Sequence, residues 1–267
     1  MKKSLLTLAV LSSLFITAMA ADYKAGDFIV RGGATMVNPD SDKSGVYVEA
    51  LGGNTPLSVT VDDNTQLGLN FVYFYDNNWA FEILAATPFT HDVTIHDPQS
   101  ISGGLFGVDV DGATLAEVRQ LPPTISALYY FDSASNFKPY AGVGINYTIF
   151  FDEDFKSTPE SLGFNDLELD GSFGFSLQIG ADYHLNNKWH VNASARYIDI
   201  GTEANFKIGD IKGSASVDVD PMVYSIMLGY KFWFPFIVII FNKKPYKAVT
   251  FYIKVTAFFI FIIQRLR

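Results

Sequence analysis

Eight stretches of this chain alternate apolar and polar side chains, and each stretch is bounded by residues that favour turns. The alternation is clearest in "YAGVGINYTIFF" (140–151), where over 141–149 every second residue is apolar and the residues between are Gly, Asn and Thr. Each stretch has about ten residues, the length of a tilted strand that crosses a membrane. The eight stretches are 28–36, 66–75, 79–87, 124–131, 140–151, 172–184, 190–197 and 222–232.

The connections between these stretches are alternately short and long. The short ones, rich in Asn, Asp and Ser, are 76–78, 132–136 and 185–188. The long ones are 38–64, 89–122, 153–169 and 201–218. Short turns at one end and long loops at the other are typical of outer-membrane barrels. The pattern predicts an all-β fold, an eight-stranded antiparallel transmembrane β-barrel with short periplasmic turns and long extracellular loops.

The chemistry of the two strand faces separates a membrane barrel from a soluble one. A soluble, calycin-like barrel would need its polar side chains outside. Here one face is rich in Phe, Tyr, Ile and Leu, whereas the other has Gly, Ser, Asn, Gln and nearly all the strand charges. An eight-stranded lumen accepts small polar side chains, but the apolar face would aggregate in water. Aromatic residues near the strand ends are expected to form interface girdles: Trp79, Tyr130, Tyr183, Trp189 and Tyr230.

The N-terminus "MKKSLLTLAVLSSLFITAMA" has the features of a secretory signal. Lys2 and Lys3 precede an apolar run over 5–18, and Ala18-Met19-Ala20 matches a cleavage site. The run is short for a spanning helix, which disfavours the alternative of a membrane anchor. We expect residues 1–20 to be removed, residues 21–232 to form the barrel, and the protein to lie in the outer membrane of a Gram-negative bacterium.

Charge and composition exclude several classes of function. Residues 21–232 contain 28 acidic and 11 basic residues, a net charge of −17, which excludes a nucleic-acid partner. The chain has no cysteine, so disulfides, thiolate metal sites and a Cys nucleophile are excluded. His91 and His96 lie beside Asp92 and Asp97, and we interpret them as a solvated loop face. No enzyme, metal or cofactor is therefore predicted; the enzyme alternative is an outer-membrane lipase or protease.

Several long strings resemble the outer membrane protein W (OmpW) family: "NTQLGLNFVYFYDNNWAFEILAATPF" (64–89), "LPPT" (121–124), "FKPYAGVGINYTIFFDE" (137–153) and "LGYKF" (228–232). The resemblance covers 22–232. It implies an eight-stranded outer-membrane barrel with a narrow, largely apolar channel for small hydrophobic molecules. It also implies contact with outer-membrane lipid, lipopolysaccharide and the barrel assembly machinery, and, for some members, use as a colicin or phage receptor.

The alternation places charged side chains inside the barrel, among them Arg31, Glu82, Asp182 and Arg196. Two interpretations remain open. In the first, these charges pair and seal the lumen of a structural, adhesion or receptor-type barrel. In the second, they line a narrow channel for hydrophobic molecules. The resemblance implies a constriction at Leu84 and Arg196, although the second position is aromatic in better-known relatives, which weakens the case for a continuous apolar channel.

The long loops contain apolar residues and a pair of prolines. Ile101, Leu105, Phe106 and Val108 are candidates for a hydrophobic pocket above the lumen, and the alternative is that they belong to strand extensions that pack on each other. Pro122 and Pro123 precede the fourth strand. Because proline donates no ladder hydrogen bond, we predict a lateral opening toward the bilayer there.

The chain continues past the point where the eighth strand is expected to end. Tyr230 and Phe232 resemble the terminal aromatic assembly signal of outer-membrane barrels. The 35 residues of 233–267 contain six basic residues, no acidic residue and much Phe and Ile. Their apolar runs, 232–241 and 248–263, are shorter than a spanning helix. We interpret this tail as a frameshift or read-through product outside the barrel, rather than as an anchor.

Overall fold

The computed structural model describes residues 22–40, 44–48 and 53–233. The predicted signal segment and nearly all of the predicted tail lie outside these residues. The described part contains fifteen strands and two short helices: β1 Asp27–Asn38, β2 Ser44–Val48, β3 Gly53–Val61, β4 Asn64–Phe74, β5 Trp79–Ala86, β6 Phe89–His96, α1 Ile101–Phe106, β7 Thr114–Leu121, β8 Thr124–Tyr130, β9 Phe137–Phe155, α2 Ser157–Ser161, β10 Phe164–Leu169, β11 Ser172–His184, β12 Trp189–Ile198, β13 Gly201–Ile208, β14 Ile211–Asp218 and β15 Met222–Trp233. Neither helix is long and apolar enough to cross a membrane.

Eight of these strands close into an antiparallel barrel. Their order around the wall is β1, β4, β5, β8, β9, β11, β12 and β15, and β15 returns to β1. These are the eight predicted stretches, and the predicted fold class is confirmed. The largest difference in bounds is at β9, which runs for 19 residues over Phe137–Phe155 because its outer half enters a second set of pairings.

The long connections are largely built from further strands. Seven strands, β2, β3, β6, β7, β10, β13 and β14, join the outer half of β9 in the order β10-β13-β14-β2-β3-β6-β7-β9. Several of these pairs bring distant segments together, for example Ser214 with Tyr47. The barrel wall therefore continues beyond the long-connection end as a taller sheet, here called the extension.

The strand faces have the predicted polarity. Outward apolar side chains are freely exposed, such as Phe173 at 71% and Ile179 at 67%, while inward Arg31 and Glu82 are completely buried. One girdle assignment is wrong: Tyr130 is 2% exposed and points into the lumen, because it has the same parity as Leu128 on β8. Trp79, Tyr183 and Trp189 are exposed.

The interior has two apolar regions at different heights. The larger one fills the extension, and its members include Val59, Ile95, Phe155 and Phe206. The smaller one, which includes Tyr23, Phe74 and Leu128, lies at the short-turn end. The inward charged residues belong to neither region.

Candidate functional site

The lower lumen is filled by a hydrogen-bonded network centred on Arg31. One Nη of Arg31 donates to Tyr130 Oη at 2.6 Å and to Asp182 Oδ2 at 2.7 Å. The other Nη donates to Glu82 Oε2 at 3.2 Å. The Nε donates to His190 Nε2 at 3.2 Å. These partners lie on four different strands, so a single arginine ties several parts of the wall together.

A second ion pair crosses the lumen at the same height. Arg196 donates to Glu82, and Arg196 Nη2 also donates to Gln178 Oε1 at 2.5 Å. β5 and β12 stand on opposite sides of the eight-stranded wall, so this pair spans the lumen. Asn70 donates to Glu82 Oε2 at 2.9 Å. Leu84, two residues farther along the same face of β5, is buried at 4% exposure next to this pair.

The network is balanced in charge and buried. Two arginines face two carboxylates, and Arg31, Glu82 and Asp182 are all fully buried. Buried charges of this kind are tolerated only when paired and hydrogen-bonded. We refer to Arg31, Glu82, Asp182, Arg196 and their hydrogen-bond partners as the plug. Its geometry matches the salt-bridged interpretation of the lumen.

Tyr23 closes the short-turn end beneath the plug. Its ring stacks on Phe74 with centroids 4.2 Å apart, and its hydroxyl donates to Asp182 Oδ2 at 2.6 Å. The residue precedes β1, so strand parity could not reveal its position. His190 on β12 is completely buried, and Gly229 opposite leaves room for its ring: a Cβ there would stand 2.1 Å from His190 Nε2.

An apolar cavity of about 290 Å³ occupies the extension above the plug. Its wall is made of branched apolar side chains from many strands, among them Val46, Leu57, Val59, Ile95, Leu115 and Phe206. Of the four predicted pocket residues, Ile101 packs against the surrounding apolar cluster. Val108 is 47% exposed and the nearby wall residue is Val110, a correction caused by the turn at Gly107, which has a φ of 72°. The side chains of Leu105 and Phe106 lie outside the described set.

His91 and Gln120 form a buried polar pair in the cavity wall, and Asp97 is also buried, so the interpretation of His91 and Asp97 as part of a solvated loop face is wrong. His91 Nδ1 lies 2.7 Å from the carbonyl oxygen of Asp62, so this nitrogen carries the proton and donates. Nε2 is then the acceptor of a 2.9 Å hydrogen bond from Gln120 Nε2. Burial lowers the pKa of His91, although the carboxylates of Asp62 and Asp63 oppose the shift, which favours this neutral form. The pair therefore adds no charge to an apolar wall.

The predicted proline opening coincides with a break in the wall. The β5–β8 ladder ends at Leu84 and Thr124, and the β6–β7 ladder begins at Phe89 and Gln120. Among the described residues, no ladder pair joins 85–88 to 121–123. On its other side the segment stays bonded, since Tyr147 N donates to Pro123 O at 3.2 Å. Pro88, Pro122 and Pro123 surround this break, here called the proline gap; Pro122 is buried and Pro123 is exposed.

Comparison with known proteins assigns this barrel to a family. The family model "OmpW family" matches residues 24–232. The chain is 42% identical over 233 residues to outer membrane protein W of Vibrio cholerae, covering 87% of this chain and all of the relative. This chain belongs to the OmpW family. The crystal structure of the outer membrane protein OprG from Pseudomonas aeruginosa matches with a TM-score of 0.71 and 39% identity, over 80% of this chain and 99% of that one. A more distant relative from Pseudomonas aeruginosa, "Dibenzothiophene metabolism operon protein PahQ", is 26% identical over 175 residues, covering 66% of this chain and 75% of the relative.

Family membership places this OmpW-family protein in the Gram-negative outer membrane, so the extension is extracellular and the short turns are periplasmic. The residues of the predicted assembly signal lie on the outer face of β15. Tyr230 contacts Trp189 with ring centroids 4.8 Å apart and Phe232 at 4.6 Å. Both rings sit at the periplasmic end of the wall, and their role as a signal stays a prediction.

Proposed function

We propose that this OmpW-family barrel passes small hydrophobic molecules from the extracellular side into the outer membrane through the proline gap. The observation that supports it best is the order of three features along one wall. Gln120 lines the apolar cavity, the gap follows at Pro122 and Pro123, and Glu82 belongs to the plug below. A molecule in the cavity is therefore next to the gap and above the plug.

The plug makes the straight route through the lumen unfavourable for such a molecule. Passing it would separate buried ion pairs and leave their charges against an apolar surface, at a cost of several kcal/mol for each charge. The gap needs no such separation, because no ladder pair between described residues closes it. The hydrocarbon of the bilayer on the far side then receives an apolar molecule without exposing it to water.

The printed name of the relative PahQ connects that protein to dibenzothiophene metabolism. Dibenzothiophene is a flat, apolar molecule. A cavity of about 290 Å³ with apolar walls is at the lower end of the size of small-ligand sites. Small apolar compounds therefore suit this cavity better than large or polar ones.

Replacing the two prolines tests the route. In a Pro122→Val/Pro123→Val variant both residues regain an amide donor, so the wall can pair with β5 and β6. We expect uptake of an apolar fluorescent dye by vesicles containing the purified barrel to fall about fivefold or more, as expected when a low-cost opening acquires ladder hydrogen bonds. The control is Pro56→Val, because Pro56 is an exposed proline in the extension, away from the gap. Undiminished uptake by the double variant would rule out this route.

The complete burial of the plug also supports a second function, a sealed structural, adhesion or receptor barrel. In that case the extension would present a surface to lipopolysaccharide, phage or colicin, and the cavity would be only a packing defect. The wild-type barrel distinguishes the two: a sealed barrel shows neither ion conductance nor dye uptake, whereas the lateral route predicts uptake without conductance.

A further inference from the structure

The extension sheet has a seam between β9 and β10, which form no ladder with each other among the described strands. β9 pairs with β7 on one side, and β10 pairs with β13. Among the described strands no ladder joins β9 to β10, although the two are the ends of one curved sheet. They meet through side chains, with the rings of Phe155 and Phe164 5.4 Å apart. Opening this seam would therefore break apolar contacts but no strand ladder.

The short helix α2 covers the seam. It links β9 to β10 and places the buried Pro159 against the cavity, beside Leu162. A helix of five residues has little stability of its own, and no side-chain hydrogen bond caps its N-terminus. Gly163 follows with a φ of 95°, a conformation that favours glycine, and its carbonyl oxygen accepts a 2.8 Å hydrogen bond from Gly209 N in the β13–β14 turn. At the other end, Lys156 Nζ is held by Glu117 Oε2 at 2.7 Å.

The strand β10 has an irregular ladder with its neighbour β13. Its pairing with β13 is irregular between Asn165 and Glu168, and Asp166 has a φ of 53°. Three of its side chains, Phe164, Leu167 and Leu169, line the cavity directly behind the seam. Displacement of α2, with β10 still paired to β13, would thus connect the cavity to the outside.

The outer rim of the seam is acidic on both sides. Asp152 and Asp166 are neutralised by ion pairs of 2.7 Å with Arg119 and Lys207. Four further carboxylates of the rim form no ion pair with a described residue: Glu153, Asp154, Glu160 and Glu168. Their field acts over about 8 Å at physiological ionic strength, so an anionic molecule is repelled when it comes close to the rim.

We propose that hydrophobic molecules reach the cavity through the β9–β10 seam, with α2 as its cover, and that the acidic rim selects neutral or cationic molecules over anionic ones. This rests on the proposed function, because it supplies the outer opening for the same cavity. The proline gap then serves as the exit, and the two openings lie at different heights of the wall.

A cysteine placed in the cavity of this cysteine-free chain measures access directly. Val59→Cys, on β3, is 3% exposed and lies across the cavity from the seam; Ala215→Cys is a second position in the same cavity in case the first does not fold. The barrel in lipid vesicles is treated with N-phenylmaleimide or with its 4-carboxyphenyl analogue, which differs by one carboxylate. Labelling rates are read by mass spectrometry and divided by those at the exposed Val108→Cys, which corrects for intrinsic reactivity.

A disulfide between Asp154→Cys and Asn165→Cys, formed by oxidation, locks the seam. Both positions are exposed and lie next to Phe155 and Phe164. We expect the lock to slow cavity labelling about tenfold or more, as for any site reached only through a local opening, and reductant to restore it. The control is a disulfide between Asn205→Cys and Ser214→Cys, two positions that are already paired between β13 and β14. This control disulfide should not change the rate of cavity labelling. Unchanged labelling with the seam locked, or equal slowing by both locks, would overturn the proposal.

The charge selection is tested with the same readout. The labelling rate of the neutral probe divided by that of the anionic probe should be about threefold higher at position 59 than at position 108, in line with electrostatic effects on association rates. Asp154→Asn with Glu168→Gln should reduce this preference, and an equal preference at both positions would overturn the selection. Dye transfer into the bilayer is measured separately. If locking the seam slows cavity labelling but the barrel transfers no dye, the proposed function is wrong and the entry route through the seam stands.

Discussion

Neutralising Glu82 is the sharpest perturbation of the plug. Glu82 is fully buried and accepts hydrogen bonds from Arg31 at 3.2 Å, from Asn70 at 2.9 Å and from Arg196. Glu82→Gln leaves both arginines with Asp182 as the one carboxylate of the plug, a net charge of +1 in a buried network. Breaking a buried ion pair on one side costs about 3–5 kcal/mol. Because Gln keeps one acceptor oxygen, we expect a loss near 3 kcal/mol.

The reasoning predicts a partial rescue by a second neutralisation. Glu82→Gln/Arg196→Gln restores charge balance, since Arg31 and Asp182 remain paired at 2.7 Å. We expect the double variant to recover about 1–2 kcal/mol relative to Glu82→Gln, a coupling typical of residues in one network. The assay is urea unfolding in lipid vesicles, followed by the fluorescence of Trp79 and Trp189. Glu203→Gln, an exposed carboxylate on β13, is the control and should change the unfolding free energy by about 0.5 kcal/mol at most. If the losses of unfolding free energy caused by Glu82→Gln and Arg196→Gln simply add in the double variant, the plug does not act as one charge-balanced unit.

Two further predictions use the periplasmic end and the cavity wall. Tyr23→Phe removes the 2.6 Å hydrogen bond to the buried Asp182 carboxylate and should lower the unfolding free energy by about 1.5–3 kcal/mol in the same assay; an unchanged midpoint would contradict the role of Tyr23 as a closing residue. Burial lowers the pKa of His91, so the unfolded chain binds more protons than the folded one. The contribution of His91 to stability is thus complete above its unfolded pKa of about 6.5 and is lost as the pH falls below it. Hydrogen-exchange protection of β6, corrected for intrinsic rates, should decrease between pH 8 and pH 5 in the wild type and less in His91→Asn, and equal decreases would show that His91 is not responsible.

The barrel could be predicted from the sequence because both faces of each strand are constrained. Lipid requires apolar side chains outside, and a narrow lumen requires small or paired polar ones inside, so a two-residue period persists over about ten residues. The extension lacks this contrast: its strands are shorter, and their partners are far apart in the sequence, as with β2 and β14. Nothing local in "SGVYV" (44–48) specifies such a partner.

The sequence predicted which charged side chains point into the lumen, but not which of them pair. Parity placed Arg31, Glu82, Asp182 and Arg196 inside, and the structure buries all four. Which carboxylate pairs with which arginine depends on the position of each strand around the wall, information that alternation does not contain. Tyr23 lies outside every alternating stretch and therefore could not be assigned to the plug.

We propose that hydrophobic molecules leave the cavity sideways through the proline gap while the lumen stays sealed. The most direct measurement records ion conductance and uptake of an apolar dye on the same preparation of wild-type barrel in planar bilayers and vesicles. The account predicts dye uptake above that of protein-free vesicles with no ion conductance, and loss of that uptake in Pro122→Val/Pro123→Val. Ion conductance through the wild-type barrel that disappears together with dye uptake when the lumen is blocked would contradict it.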